Sequence, residues 1–208
     1  MIMLFVRFQC PLVCTLIAVA ALVMPACSFM AARTPAQTFL LDPGVPPRAA
    51  KQISGSVAVS FVDVSSPYSI GNFQYRLSES DWETDPYNRF LSSPQEMMTR
   101  VIRTWLEKSS AFSTVVMPAS GVVADFQVEC EVTSLFVDFR DVGNPEAVMA
   151  MEFRVMRSVK NAPPEVVLRK AFNSRAPVAD RTPEAFVQAW NAALREDMMS
   201  FSAALKAI

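Results

Sequence analysis

The sequence predicts an α+β fold: a two-layer sandwich in which two helices pack on one face of a mostly antiparallel sheet, in the order β-β-α-β-β-β-β-α. Several segments alternate apolar and polar residues, as strands that bury one face do. Two other segments place apolar residues at helical spacing behind a proline. Three long strands follow one another with short turns between them, which indicates an antiparallel meander that the helices cover.

The first half of the domain supplies two strands and a helix. Residues 56–64 are rich in β-branched residues, and residues 73–77 alternate apolar with polar ones, so both are predicted strands. A helix is predicted over Pro94–Ser109, because the proline follows a serine that can cap the first turn. Trp105 lies in the apolar stripe of this helix and is predicted to be structural, joining the helix to the sheet.

The second half supplies the meander and the last helix. Strands are predicted over residues 112–116, 125–140, 147–158 and 166–172. The apolar phase of the longest strand slips by one residue near Thr133, which predicts a β-bulge there. Thr182 and Pro183 open the last helix as cap and first helical residue, and Trp190 in its apolar stripe is predicted to join the helix to the sheet.

Composition excludes most enzyme classes. With 208 residues, 51% of them hydrophobic, and a mean hydropathy of +0.24, the chain suits one packed domain. A net charge of −1 provides no basic field for nucleic acid. The chain contains no histidine, and its scattered glycines build no nucleotide-binding loop. We therefore expect a non-catalytic protein with no cofactor and no metal site.

The N-terminus is typical of an export signal. Arg7 precedes an apolar run over residues 11–24, which is short for a membrane-spanning helix. The run ends at Ala26-Cys27, and a small residue directly before a cysteine resembles the lipobox of bacterial lipoproteins. In that class the cysteine becomes the first mature residue and carries acyl chains, palmitate among them. Cys27 is the predicted lipidation site; an ordinary signal peptide or an uncleaved anchor is the alternative.

The chain divides into three predicted parts. Residues 1–26 form the lipoprotein signal peptide. Residues 27–50 contain several prolines and little periodicity, which predicts a lipid-anchored tether. Residues 51–208 form a single α+β domain. Ser28 in the position after the cysteine favours sorting to the outer membrane, with the domain facing the periplasm.

Three groups of residues invite a chemical interpretation, and each has a plainer one. Cys130 falls in the apolar register of its strand, which favours a buried, inert thiol over a reactive one. An acidic run could bind calcium, but it lacks the features of an EF-hand loop, so a solvated strand or loop is favoured. Its members are Glu79, Asp81, Glu83 and Asp85. Asp138, Arg140 and Asp141 could form a catalytic pair, but their mixed charges are more typical of the tip of a hairpin.

A series of short motifs runs through the chain in a fixed order. They are Phe39-Leu40-Leu41-Asp42-Pro43, Tyr75-Arg76, Asp85-Pro86-Tyr87-Asn88-Arg89-Phe90, Thr104-Trp105-Leu106, residues 112–115, residues 129–139 and Pro145-Glu146-Ala147. In this order, and beside the lipobox, they resemble the ABC-type transport auxiliary lipoproteins. The similarity covers about residues 37–206; each motif alone is weak, and the specificity comes from their order.

The resemblance implies a non-catalytic accessory subunit of an ABC transport system of the mammalian-cell-entry (MCE) type, which moves lipids or other hydrophobic molecules between membranes. The implied partners are a periplasmic MCE protein and, through it, an ABC permease and ATPase. The lipoprotein would dock this assembly at the outer membrane. The resemblance also implies homo-oligomeric assembly, which the sequence itself does not show. The alternative is a periplasm-facing, lipid-binding carrier lipoprotein with its own enclosed apolar pocket.

Partner docking is predicted on loops, because exposed loops on a rigid scaffold commonly carry contacts. The first candidate is the loop that begins at Tyr68 and ends at Asn72. The second is the hairpin that begins with Arg140 and Asp141 and ends at Glu146.

Overall fold

A computed structural model describes residues 35–117 and 121–208 of the chain. Strands β1 to β9 are Gln37–Phe39, Ile53–Val59, Asp63–Val64, Asn72–Arg76, Trp82–Phe90, Phe112–Val116, Phe126–Asp138, Glu146–Val159 and Ala162–Pro177. Helix α1 is Pro94–Ser109 and helix α2 is Pro183–Ala204. Short 3-10 turns occur at Tyr68–Ile70 and Leu205–Ala207. The signal peptide predicted over residues 1–26 and Cys27 lie outside the described residues.

Strand β7 is the central strand of the sheet and pairs with four others. Along one edge it pairs antiparallel with β8, which pairs antiparallel with β9, so the predicted meander is confirmed. Along its other edge β2, β3 and β4 pair with it one after another, all in parallel. Outside these, β6 runs parallel to β2, β5 antiparallel to β4, and β1 parallel to β5.

The α+β class is confirmed, but the predicted sheet needs correction. It is mixed and curled, and not the mostly antiparallel layer of a plain two-layer sandwich. The strand predicted over residues 56–64 is two strands, β2 and β3, which meet β7 at separate places. Strands β1 and β5 were not predicted. Alternation of apolar and polar residues shows which face of the sheet a residue occupies, but not which strand lies alongside. It therefore could not predict the parallel pairing.

The predicted bulge is present in β7. The register against β8 shifts between Val132 and Ser134, so one extra residue sits in β7 there. Cys130 faces the helices before the shift, whereas Phe136 and Asp138 point to the opposite face after it.

Both predicted structural tryptophans are buried and hydrogen-bonded. The indole N–H of Trp105 on α1 donates to Ser202 Oγ on α2 at 2.9 Å, which ties the two helices together. The indole N–H of Trp190 on α2 donates to the carbonyl oxygen of Phe136 at 3.1 Å, which ties that helix to β7. The Trp190 ring also lies edge-on to Phe73, with centroids 4.8 Å apart. The predicted structural role is confirmed by the burial of both residues, but the hydrogen bond of Trp105 joins its helix to the other helix and not to the sheet.

The described part of the predicted 27–50 tether packs against the helices. Leu41 is buried, and Asp42 N–H donates to the Asn191 side chain at 2.8 Å. Arg195 on α2 donates to the carbonyl oxygen of Pro43 at 2.9 Å. We call residues 35–53 the lead-in segment. Within the described residues, no helix is long and apolar enough to cross a membrane.

One carboxyl group lies inside the core. Asp197 on α2 is 0% exposed, and its Oδ1 accepts a hydrogen bond from Ser174 Oγ on β9 at 2.5 Å. Its Oδ2 has no hydrogen-bond partner among the described residues. Burial raises the pKa of Asp197 to about 7, outweighing the lowering effect of Ser174. Burial and this carboxyl group also raise the pKa of the Cys130 thiol, which agrees with an inert cysteine.

We expect Trp190→Ala to destabilise the domain by about 3–5 kcal/mol, because it opens a cavity and removes the hydrogen bond from the indole N–H to the Phe136 carbonyl oxygen. Met199→Ala removes an exposed side chain from the same helix and should change stability little. Chemical denaturation of both variants measures the difference. Equal midpoints for Trp190→Ala and the wild type would contradict a core role.

We expect Asp197 to make the domain less stable as the pH rises from about 4 to about 7. The carboxyl group holds its proton more tightly in the folded state than in the unfolded state. Its contribution to the free energy of unfolding is therefore present at low pH and is lost as the pH rises through the pKa of the folded state. Asp197→Asn should remove this dependence, so that the wild type loses on the order of 2–4 kcal/mol relative to the variant across that range. Denaturation at several pH values measures it, with exposed Asp81→Asn as control. Parallel pH profiles for wild type and Asp197→Asn would exclude the effect.

Candidate docking surface

An aromatic layer covers the end of β7 on the face opposite the helices. The ring of Tyr68 stacks on Phe136 with centroids 6.1 Å apart, and Trp82 meets Phe136 edge-on at 4.9 Å. The Arg76 guanidinium lies 5.4 Å from the Trp82 ring centroid on β5. Tyr68 is only 8% exposed, whereas Trp82 remains 40% exposed. Trp82 is therefore a large aromatic side chain that is held rigidly and still faces solvent.

Beside this layer, Asp138 at the end of β7 anchors a network of charges. Arg140 binds its carboxylate with two nitrogens, Nε to Oδ1 at 2.9 Å and Nη2 to Oδ2 at 2.7 Å. Arg175 on β9 reaches the same Oδ2 at 3.2 Å and Glu146 on β8 at 2.9 Å. The hydrogen bonds from Arg140, opposed by burial, hold the pKa of Asp138 well below its usual range.

Glu79 extends the network to the turn between β4 and β5. Its carboxylate accepts from Arg140 at 2.5 Å and from Arg76 at 2.9 Å. Asp138 and Glu79 together raise the pKa of Arg140, which stays a cation. Because Glu79 is largely exposed, the network stabilises two adjacent turns and also offers charge to solvent.

The four predicted docking residues all have partners within the fold. Tyr68 is buried in the aromatic layer, and Asn72 Nδ2 donates to the Asp85 carbonyl oxygen at 2.7 Å. Arg140 belongs to the charge network. Asp141 accepts from Gly143 N–H and Asn144 Nδ2, both at 3.0 Å, and so shapes the β7–β8 turn. Tyr68 and Arg140 meet β7 side chains two positions apart, whereas Asn72 lies beside Asp85. Partner binding at these positions stays a prediction.

Asp85, a member of the acidic run, accepts several hydrogen bonds in the middle of β5. Its carboxylate accepts from Tyr75 Oη at 2.5 Å, from Asn88 Nδ2 at 2.8 Å and from the N–H groups of Tyr87 and Asn88. Burial opposes ionisation, but these hydrogen bonds together outweigh it and lower the pKa of Asp85. Burial and Asp85 raise the pKa of Tyr75. Among the described residues, no group of three or more acidic, Cys or His side chains is placed to hold a metal ion.

Trp82, an exposed aromatic side chain that packs on Phe136, was missed in the sequence. The acidic residues at positions 79–85 were interpreted only as a solvated strand or loop, and the start of β5 went unrecognised. We define the hairpin face as Arg76, Glu79, Trp82, Arg140 and Val142, the last of which is exposed at the tip of the β7–β8 turn. A shallow hollow of about 230 Å³ is lined by Glu79 and Arg140 of this face. Tryptophan and arginine are the residue types that dominate protein interfaces, so this face suits docking.

Comparison with known proteins supports this picture of the fold. A family model described as the ABC-type transport auxiliary lipoprotein component matches residues 39–197. No curated protein matches the chain. Protein XCC0632 from Xanthomonas campestris has a TM-score of 0.71 at 15% identity, over 82% of this chain and 96% of that one. The hypothetical protein CT253 from Chlamydia trachomatis has a TM-score of 0.51 at 16% identity, over 75% and 100%. At these identities the two structures show a shared fold.

We expect Asp138→Asn to destabilise the domain by about 1–3 kcal/mol, because Arg140 and Arg175 lose their shared, largely buried acceptor. Asp81→Asn alters an exposed acid on the neighbouring turn and should have a small effect. Thermal unfolding of the two variants measures this. If both variants melt like the wild type, the charge network contributes nothing to stability.

Proposed function

Since the chain belongs to the ABC-type transport auxiliary lipoprotein family, whose model matches residues 39–197, we propose that it is the non-catalytic accessory subunit of an MCE-type lipid transport system. In this proposal it docks the periplasmic MCE protein at the outer membrane, and the ABC permease and ATPase act through that protein. The energy for transport then comes from the ATPase partner, because this chain contains no nucleotide-binding loop.

The hairpin face is the observation that carries the docking role. It combines an exposed tryptophan, fixed by Phe136 and Arg76, with charged residues whose positions are set by a shared network. Side chains that are already ordered lose little conformational entropy when a partner binds. A surface of this kind therefore favours specific protein contact over a purely structural role.

The packing of the core favours an adaptor over an enclosing carrier. A carrier needs an apolar cavity between sheet and helices. That space is occupied by close aromatic contacts: Phe153 on β8 stacks on Phe201 of α2 with centroids 4.0 Å apart. Trp190 fills the neighbouring region against Phe73 and Phe90. The space between α2 and the sheet is therefore filled by side chains at these contacts.

A lipid on Cys27 would keep the domain near its membrane. About ten residues separate Cys27 from the start of β1, and at full extension they span at most about 35 Å. From Gln37 onward the lead-in segment is fixed to the domain through its pairing with β5. In this proposal, the start of β1 would therefore stay within about 35 Å of the bilayer surface.

We expect Cys27→Ala to abolish acyl labelling and to release the protein from membranes. Stable anchoring requires two or more acyl chains, so their loss should leave little bound protein. Metabolic labelling with a palmitate analogue and membrane fractionation measure both effects, and Cys130→Ala serves as the matched control. If the Cys27 variant stays membrane-bound and neither form is processed, the segment is a plain anchor.

We expect Trp82→Ala combined with Glu79→Lys to reduce recovery of the partner assembly by about tenfold or more. The changes remove the exposed aromatic ring and reverse one charge of the hairpin face. Affinity purification of the full chain from its native membranes, followed by mass spectrometry, detects the MCE protein, permease and ATPase.

Val166→Ala with Glu165→Lys is the matched control, because these exposed residues lie at the opposite end of the sheet. Loss of partners in the control alone would place docking elsewhere on the domain. Failure of the wild-type protein to recover any ABC or MCE protein would overturn the proposed function itself.

A further inference from the structure

A second surface, on the helix side of the domain, has a different chemistry. A pocket of about 290 Å³ opens where the lead-in segment crosses the ends of α1 and α2. Ala111 lies buried against it, and Met199 and Ala203 of α2 form one wall. Ile53 and Ala50 of the lead-in segment form the other wall. Because the residues that meet here are mostly small, the crossing leaves a concave apolar surface.

The walls of this pocket are fixed by hydrogen bonds. The N–H groups of Ala49 and Ile53 donate to the carbonyl oxygens of Ser109 and Ala111, both at 2.8 Å, so the lead-in segment is held on either side of the opening. The Ser202 hydroxyl in the wall is occupied by its contacts with Trp105 and the Met198 carbonyl oxygen. The pocket is therefore preformed, and this hydroxyl has its hydrogen-bonding needs met.

The rim carries cations that lack counter-charges. Arg48, Lys51 and Lys206 line the pocket, and none of them forms an ion pair with any described residue. No residue that lines the pocket is acidic. Most arginines of the sheet side are different, since six of them are paired with a carboxylate, whereas Arg89 on β5 is in no ion pair with a described residue. The six are Arg76, Arg140, Arg154, Arg157, Arg169 and Arg175. Unpaired positive charge around an apolar pocket is complementary to an anion joined to an apolar chain.

We propose that this pocket binds an anionic amphiphile, with part of one acyl chain against Met199 and Ala203 and its phosphate or carboxylate among Arg48, Lys51 and Lys206. The volume suits a segment of a single chain and is too small for a whole two-chain lipid. Such binding is an activity that a docking subunit does not need, so it goes beyond the proposed function. A partner protein is less well matched, because a small concave pocket accepts a chain end better than a broad surface.

Photolabelling of the full chain in its native membranes tests the proposal. The probe is a diazirine-bearing lysophosphatidylglycerol, and the matched zwitterionic probe is the corresponding lysophosphatidylcholine. We expect the anionic probe to label peptides that contain residues 47–53 and 199–206, and to do so more strongly than the zwitterionic probe. Equal labelling by both probes, or labelling elsewhere on the domain, would overturn the proposal.

Two variants separate the apolar and the charged parts of the pocket. Ala203→Trp should fill it and lower labelling by about tenfold or more. Lys51→Glu with Lys206→Glu should lower labelling by the anionic probe about tenfold. The controls are Ala171→Trp, and Lys160→Glu with Lys170→Glu, which make the same changes at exposed positions away from the pocket. Equal losses in variants and controls would show general surface attraction and overturn the pocket.

Competition and co-purification complete the test. Unlabelled lysophosphatidylglycerol should displace the probe, whereas millimolar inorganic phosphate should not; displacement by phosphate would show a simple anion site and overturn the amphiphile. Ala203→Trp should still recover the transport partners. A wild-type protein that is labelled in the pocket but recovers no transport partner would contradict the proposed function and leave the pocket supported.

Discussion

The extra residue in β7 between Val132 and Ser134 is the constraint on which the rest of the domain depends. It changes which side chains face the helices halfway along the strand that pairs with four others, β2, β3, β4 and β8. Without it, Phe136 and Asp138 would point into the core, where a carboxylate would have no arginine to pair with. With it, the first half of β7 supports the helices, and the second half also supports an aromatic and charged layer on the opposite face. The core and the hairpin face are thus two consequences of one insertion.

The sequence was sufficient for features that depend on local periodicity. The bulge follows from the phase slip near Thr133. The helix starts follow from Ser93 and Thr182, because each side chain caps its helix by accepting a hydrogen bond from the backbone N–H three residues later. The parallel pairing of β2, β3 and β4 with β7 depends on contacts between distant segments, and no local pattern encodes it. The packing of the lead-in segment against the domain was not predicted for a related reason: the buried Leu41 stands among prolines, so the segment has no hydrophobic periodicity.

The predicted docking residues show why polar loop residues are ambiguous in a sequence. Asn72, Arg140 and Asp141 have side chains that can bind a partner, but the same donors and acceptors hold the turns in shape. Trp82 has the opposite property: its ring rests on Phe136 and yet keeps much of its area in solvent. A residue that the fold orders but does not bury is a better indicator of an interface than one that the fold needs for its own hydrogen bonds.

The lead-in segment would connect the proposed lipid anchor to the proposed pocket. If Cys27 carries the lipid, any pull from the membrane reaches the domain through β1 and then through the contacts of Asp42 and Pro43 with α2. The same segment continues to Ala49 and Ile53, whose hydrogen bonds hold the pocket wall in place. The hairpin face lies on the other side of the sheet, on β5 and the turns next to it. If both proposals hold, the hairpin face and the pocket lie on different sides of the sheet, so a bound partner and a bound amphiphile need not displace each other.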